Sequence, residues 1–141
     1  MGKINLGRVV IGGLVAGVVF NIGEFLLNGP ILGEQWKTMM ESLGLPQMTG
    51  AGVMLGFIIM AFVIGIATVW LYAAIRPRFG PGPKTAVYNG LVIWFLVWLW
   101  GFGGTTVMGI YPTKLVIITL IWGLFEAPLA SLAGAWVYKE E

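Results

Sequence analysis

Residues 115–138 read LVIITLIWGLFEAPLASLAGAWVY, an almost unbroken apolar run with one carboxylate, Glu126, near its middle. A run of about 20 apolar residues is long enough to cross the hydrocarbon core of a bilayer as a helix. A carboxylate halfway across is costly, so it must be neutral, paired, or turned towards protein or water. Gly123, Glu126, Ala130 and Gly134 follow one another at helical steps and share one stripe. Small residues on such a stripe let another helix come close, and the acid points into that contact.

The rest of the chain has the same character. Of its 141 residues 58% are hydrophobic and only 10% charged, and the mean hydropathy is +0.91. Soluble domains carry about a quarter of charged residues, so this is a membrane composition, and the length suits one domain of packed spans. A net charge of +2 is too small and dispersed to suggest nucleic acid. There is no Cys and no His. Disulfides, thiolate metal sites and cysteine nucleophiles are therefore excluded, together with the commonest haem, zinc and copper ligand and the usual general base.

Four spans are expected, at about 5–28, 49–75, 84–102 and 112–138. The first follows Lys3 and Arg8 and is too long for a signal-peptide core, so it reads as a retained helix. Along it Gly13, Gly17, Asn21, Glu24 and Asn28 fall on one helical seam, small at the start and polar towards the end. Gly29-Pro30 is expected to end it. Trp36, Met39, Met40 and Leu43 then have the spacing of a short amphipathic helix, stopped by Gly44 and Pro46. Such a helix suits the headgroup plane, the alternative being a loop helix packed over the bundle. In the second span Gly52 and Gly56 form a small-xxx-small pair, and Arg76-Pro77-Arg78 is expected to close it. Pro83 suits the start of the third helix, and Gly101, Gly103 and Gly104 are expected to dissolve it. Lys3, Arg8, Arg76, Arg78, Lys84 and Lys139 fall on one side of such a bundle, Lys37 and Lys114 on the other. That asymmetry puts both termini in the cytoplasm, and short connections make up-down-up-down the default topology.

Glu24 and Glu126 are the only acids inside spans, and intramembrane ionisable groups are functional hypotheses by default. By helical rise Glu24 lies roughly 9 Å nearer the outer face than Glu126, so the two belong to neighbouring layers of a polar core with Asn21, Asn28 and Asn89, and whether they touch is left open. One reading is structural: each acid is protonated or hydrogen-bonded to Asn21, Asn28, Thr119 or a backbone carbonyl, and glues helices by about 0.6 kcal/mol per bond. Three functional uses compete with it. The acids could relay protons, hold a hard cation, or pair with an Arg or Lys of a partner subunit. Trp94, Trp98 and Phe102, with Phe95 and Trp100, form an aromatic cluster. It reads either as a platform for a quinone, carotenoid or lipid tail or as belt and lipid-facing aromatics. Pro128 is expected to free a carbonyl beside Glu126 and to kink the last helix. No nucleophile–base pair, phosphate loop or metal spacing is present, so no enzyme, cofactor or metal is expected.

At Asn28-Gly29-Pro30-Ile31-Leu32-Gly33-Glu34-Gln35-Trp36, followed by Gly44-Leu45, the chain resembles a family of small bacterial membrane proteins, the domain of unknown function 1761 family. Trp100-Gly101-Phe102, Thr105-Thr106 and Gly134-Ala135-Trp136 fit its second half. The resemblance implies a four-helix fold in a bacterial inner membrane. It implies no activity, so no catalytic residue is carried over. The expected role is a non-enzymatic accessory or interaction subunit, or an assembly factor, in contact with lipid and with other subunits or its own copies. A small oligomeric transporter or proton-coupled carrier using Glu24 and Glu126 is the alternative.

Overall fold

Asn5 opens the first helix by accepting a hydrogen bond from the Arg8 amide, the usual way of satisfying an otherwise orphaned donor. From there a computed structural model describes residues 2–140, in which every regular element is helical. Helix α1 (Leu6–Leu26) ends in a wide π turn, Leu27–Ile31, and α2 (Gly33–Ser42) follows. Helix α3 spans Ala51–Phe79. Helix α4 (Pro83–Trp94) passes through a π segment, Phe95–Leu99, into α5 (Trp100–Val107), and α6 spans Thr113–Val137. Four continuous helical stretches, Leu6–Ile31, Ala51–Phe79, Pro83–Val107 and Thr113–Val137, are long and apolar enough to cross a membrane.

Two boundaries differ from the expected ones. Helix α3 does not close at Arg76-Pro77-Arg78 but runs to Phe79, where Gly80 takes φ +85° and donates its amide to the Arg76 carbonyl. Only glycine reaches that conformation cheaply, so the stop moved from the proline to the glycine. Gly101, Gly103 and Gly104 do not dissolve the third stretch. Each glycine costs about 1 kcal/mol in a helix, less than is lost by leaving backbone groups unpaired in apolar surroundings. Pro128 sits inside an uninterrupted α6.

Small residues set how closely the helices meet. Helix α1 packs along α3 and α6, and α4 packs along α6. A Cβ on Gly17 would lie 2.9 Å from Phe62 Cα, and Gly13 meets Ile66 in the same way. Gly65 answers from α3, where a Cβ would lie 2.5 Å from the Gly17 amide. On the other side of α1, Gly12 and Gly134 face each other's carbonyls. Gly90 lets α4 close onto Pro128, and Gly123 makes room for the Trp98 indole. Backbones this close gain contact along their length, the usual source of cohesion between apolar helices. The expected packing glycines Gly13, Gly17, Gly123 and Gly134 therefore all pack.

Gly52 and Gly56 do not. Nothing in the chain lies within 4 Å of a Cβ at either position, and residues 51–60 are all exposed. The pair has packing geometry but no neighbour, because α1 packs closely on α3 only from Ala61 onwards, with the Asn21 side chain alone reaching back to the Ile58 carbonyl.

The two ends of the bundle differ. At one, the chain termini and the α3–α4 turn gather round two tyrosines. The Asn5 amide donates to the Tyr138 hydroxyl (3.3 Å) and the Gly82 amide to that of Tyr72 (3.1 Å). The tyrosine rings meet edge-on, Arg76 lies over Tyr138, and its Nη1 is 3.7 Å from Glu140 Oε1. At the other end α2 folds back over the bundle. Met39 is buried, and Trp36 packs against Leu27, Leu32 and Leu115. Of the four apolar residues expected on one face of α2, Leu43 departs: it follows the helix and is exposed. Helix α2 is thus a lid packed on the bundle.

Candidate site: a buried carboxyl pair

Helix α1 carries Glu24 and α6 carries Glu126, and the approach of the two helices brings the side chains together. Gly23 makes the approach possible, since a Cβ there would lie 2.7 Å from the Glu126 carboxyl carbon. Glu126 is 5% exposed. The two carboxyl groups are direct neighbours, and the Trp122 indole lies beside Glu126. The expected separation by helical rise is taken up by the length of the side chains. The acids form one pair.

A hydrogen-bonded chain leads from this pair to the α2 end. Asn28 Nδ2 donates to Glu24 Oε2 at 2.7 Å and to the Glu24 carbonyl at 3.0 Å. The Trp36 indole donates to Asn28 Oδ1 at 2.8 Å. Trp36 in turn meets the Tyr111 ring edge-on, with centroids 5.4 Å apart. Both ends of the Asn28 amide are thereby fixed, which orients its NH2 at the acid.

The remaining oxygens of the pair, Glu24 Oε1 and both of Glu126, are buried and face each other and the Trp122 indole, with no hydrogen bond of good geometry to any of them. A buried polar atom without a partner costs about 1–3 kcal/mol, and groups left so in a folded protein call for an explanation by function, water or an ion. No Lys or Arg occurs between Arg8 and Lys37 in the sequence, nor between Lys114 and Lys139. The pair accordingly needs a proton or a small cation to offset its charge. Two carboxyl groups and one amide fall short of the six to eight oxygens that calcium takes. Among the described residues no cluster of three His, Cys, Asp or Glu exists.

The other expected polar residues go elsewhere. Asn89, fully buried, donates from Nδ2 to the Thr68 carbonyl (2.8 Å) and to Ser131 Oγ (2.9 Å), tying α4 to α3 and α6. Asn21 turns to α3, bonding the Gly17 carbonyl at 2.9 Å and that of Ile58 at 3.5 Å. Thr119 Oγ1 donates to the Leu115 carbonyl. The five-residue polar core is therefore a Glu24–Glu126–Asn28 site plus two separate helix ties. The open aromatic platform is corrected as well. Trp98 is 4% exposed and stacks on Phe20, while Trp94 donates to the Leu120 carbonyl at 2.8 Å. Both indoles are occupied in packing, and Phe102 lies by Tyr111.

Trp36 and Trp122 belong to the site and were missed as such. The sequence signalled only an amphipathic face for one and an apolar run for the other. No family model, curated protein or solved structure matches the chain, so the resemblance read at residues 28–36, 44–45, 100–102, 105–106 and 134–136 rests on those motifs alone.

Proposed function

We propose that this is a multi-pass protein of a bacterial inner membrane, with an up-down-up-down bundle and both termini in the cytoplasm. Its working part is the Glu24–Glu126 pair, which takes up and releases a proton or small cation. The protein acts as a small proton-coupled carrier, in oligomeric form, because four helices this closely packed enclose no pathway of their own. One observation carries this reading: three buried carboxyl oxygens in neighbouring side chains without a well-formed hydrogen bond, and no Lys or Arg near the middle of any span. The burial of Glu126 speaks against an Arg or Lys of a partner as the neutralising group, since that side chain would have to enter between α1 and α6. The Asn28–Trp36 chain gives the pair a polar connection towards the outer side, where Lys37 and Lys114 place the α2 end. No enzymatic step and no cofactor belong to this reading, since a carboxyl pair alone supplies only acid–base chemistry.

The test is proton flux into vesicles. Protein reconstituted with a trapped pH-sensitive dye is expected to acidify the lumen after an external acid jump, and Glu126→Gln to abolish this while remaining folded. Wild-type vesicles that behave as empty ones would overturn the carrier.

The uncovered first ten residues of α3 favour a second reading, an accessory subunit or assembly factor. That role requires a co-purifying membrane protein that Gly52→Leu with Gly56→Leu displaces. A wild-type chain that carries no protons but holds such a partner would put this reading first.

A further inference from the structure

Between α2 and the start of α6 lies a groove of about 410 Å³. Its floor is apolar, made by Met39, Leu115 and Ile118. Its rim is polar and carries two opposite charges, Glu34 from α2 and Lys114 from α6. These two do not pair, since Arg76–Glu140 is the one salt bridge among the described residues. Both are exposed, so each charge is presented to whatever enters.

The groove sits at a definable depth. Trp36 and Tyr111, in contact at this end of the bundle, are the residue types that gather at headgroup level. Below Lys114 on the same face of α6 come Ile118, Ile121 and Phe125, the last two exposed. A molecule seated in the groove with an apolar tail would run down that stripe into the hydrocarbon. Its head would meet a cation and an anion at once.

We propose that this groove binds a zwitterionic phospholipid with a primary amine. The phosphate pairs with Lys114, the ammonium donates to Glu34, and the acyl chains lie along Ile118, Ile121 and Phe125. An anionic headgroup without the amine leaves Glu34 facing negative charge. A quaternary amine carries no N–H to donate to it. The inference rests on the membrane placement proposed above and is independent of the acid pair.

The experiment counts lipids held by the purified protein in mild detergent, by native mass spectrometry. Phosphatidylethanolamine, phosphatidylcholine and phosphatidylglycerol of equal chain length are offered in turn. Phosphatidylethanolamine is expected to be retained about fivefold over either of the others, the size of a partly exposed ion-pair contribution. Glu34→Gln is expected to erase its advantage over phosphatidylglycerol, and Lys114→Gln to lower retention of both phosphate lipids of that pair. Equal retention of the three lipids, or unchanged selectivity in both variants, overturns the proposal. Flotation with vesicles separates the two levels: a chain that does not float loses the membrane placement and this site with it. One that floats without selectivity loses the site alone.

Discussion

Glycine 23 and Glu126 illustrate how one missing side chain creates a chemical site. Without a Cβ at position 23, α1 comes close enough for the Glu126 carboxyl carbon to sit against its backbone. Gly23→Ala is expected to destabilise the fold by about 1–3 kcal/mol, because the new methyl must push the acid or the helix aside. Gly29→Ala has open space and is expected to change stability by less than about 0.5 kcal/mol. Thermal unfolding in one detergent compares the two. At Asn89 the argument concerns hydrogen bonds. Asn89→Ala removes the bonds to the helical Thr68 carbonyl and to the Ser131 hydroxyl in a fully buried place and is expected to cost about 1–3 kcal/mol, read in the same melts. The chemistry of Glu24, Asn28 and Glu126 was visible in the sequence because polar residues in apolar runs stand out. Their contact was not, since helical rise fixes the height of a Cα and says nothing of how far a glutamate side chain reaches. Asn21 shows the converse. It shares a seam with Glu24 in sequence, yet it turns to α3, the helix nearest to it.

Among the elements, α1 is clasped on two sides by glycine contacts, and α3 on one side over part of its length. Replacing Gly13 and Gly17 together by Leu is expected to separate α1 from α3 and unfold the bundle in mild detergent. The same replacement at Gly52 and Gly56 is expected to leave the monomer's melting unchanged. Equal losses in both would mean that the Gly52–Gly56 face is packed inside the chain after all. Spacing alone could not tell these pairs apart. A small-xxx-small pair states that a helix can be approached closely; whether another helix passes at that height depends on connections far away in sequence. Gly65, which does pack, follows Ala61 at the same spacing, a weaker signal set among larger residues. Helix α2 was legible as amphipathic from Trp36, Met39 and Met40. Its role as a cover came from Trp36 finding Asn28, eight residues back across the π turn.

At the scale of the molecule, four apolar stretches were readable from composition and length, and the helices occupy them with ends shifted by a few residues. The shifts at Phe79 and Val107 have one cause. Each helix runs on to a glycine that takes positive φ, Gly80 after the one and Gly109 after the other, a conformation glycine reaches cheaply. The termini end is held by Tyr72, Tyr138 and Arg76. Tyr138→Ala removes an aromatic contact, a cation–π contact and the acceptor for Asn5 together. It is expected to raise hydrogen exchange at both the first turn of α1 and the last turn of α6. A change at only one would show that the two ends are not latched to each other. The placement of both termini on one side is checked by reporters fused before Lys3 and after Glu140. Opposite activities at the two points would refute it.

Helix α3 has 29 residues, a length of about 43 Å by helical rise, against about 30 Å of hydrocarbon in a bilayer. In mechanical terms it is a cantilever, clamped from Ala61 by α1, touched at the Ile58 carbonyl by Asn21, and free over residues 51–57. The clamped part cannot lean without breaking its glycine contacts, so membrane thickness acts on the free arm. Thin bilayers should bend that arm over and thick ones draw it upright, while the clamped root keeps its angle. A depth-sensitive fluorophore at position 54 is expected to shift with acyl-chain length, and one at position 70 to stay still. The linker from Leu43 to Gly50 ties the arm's tip to α2, so lipid thickness would pull directly on the cover above the acid pair.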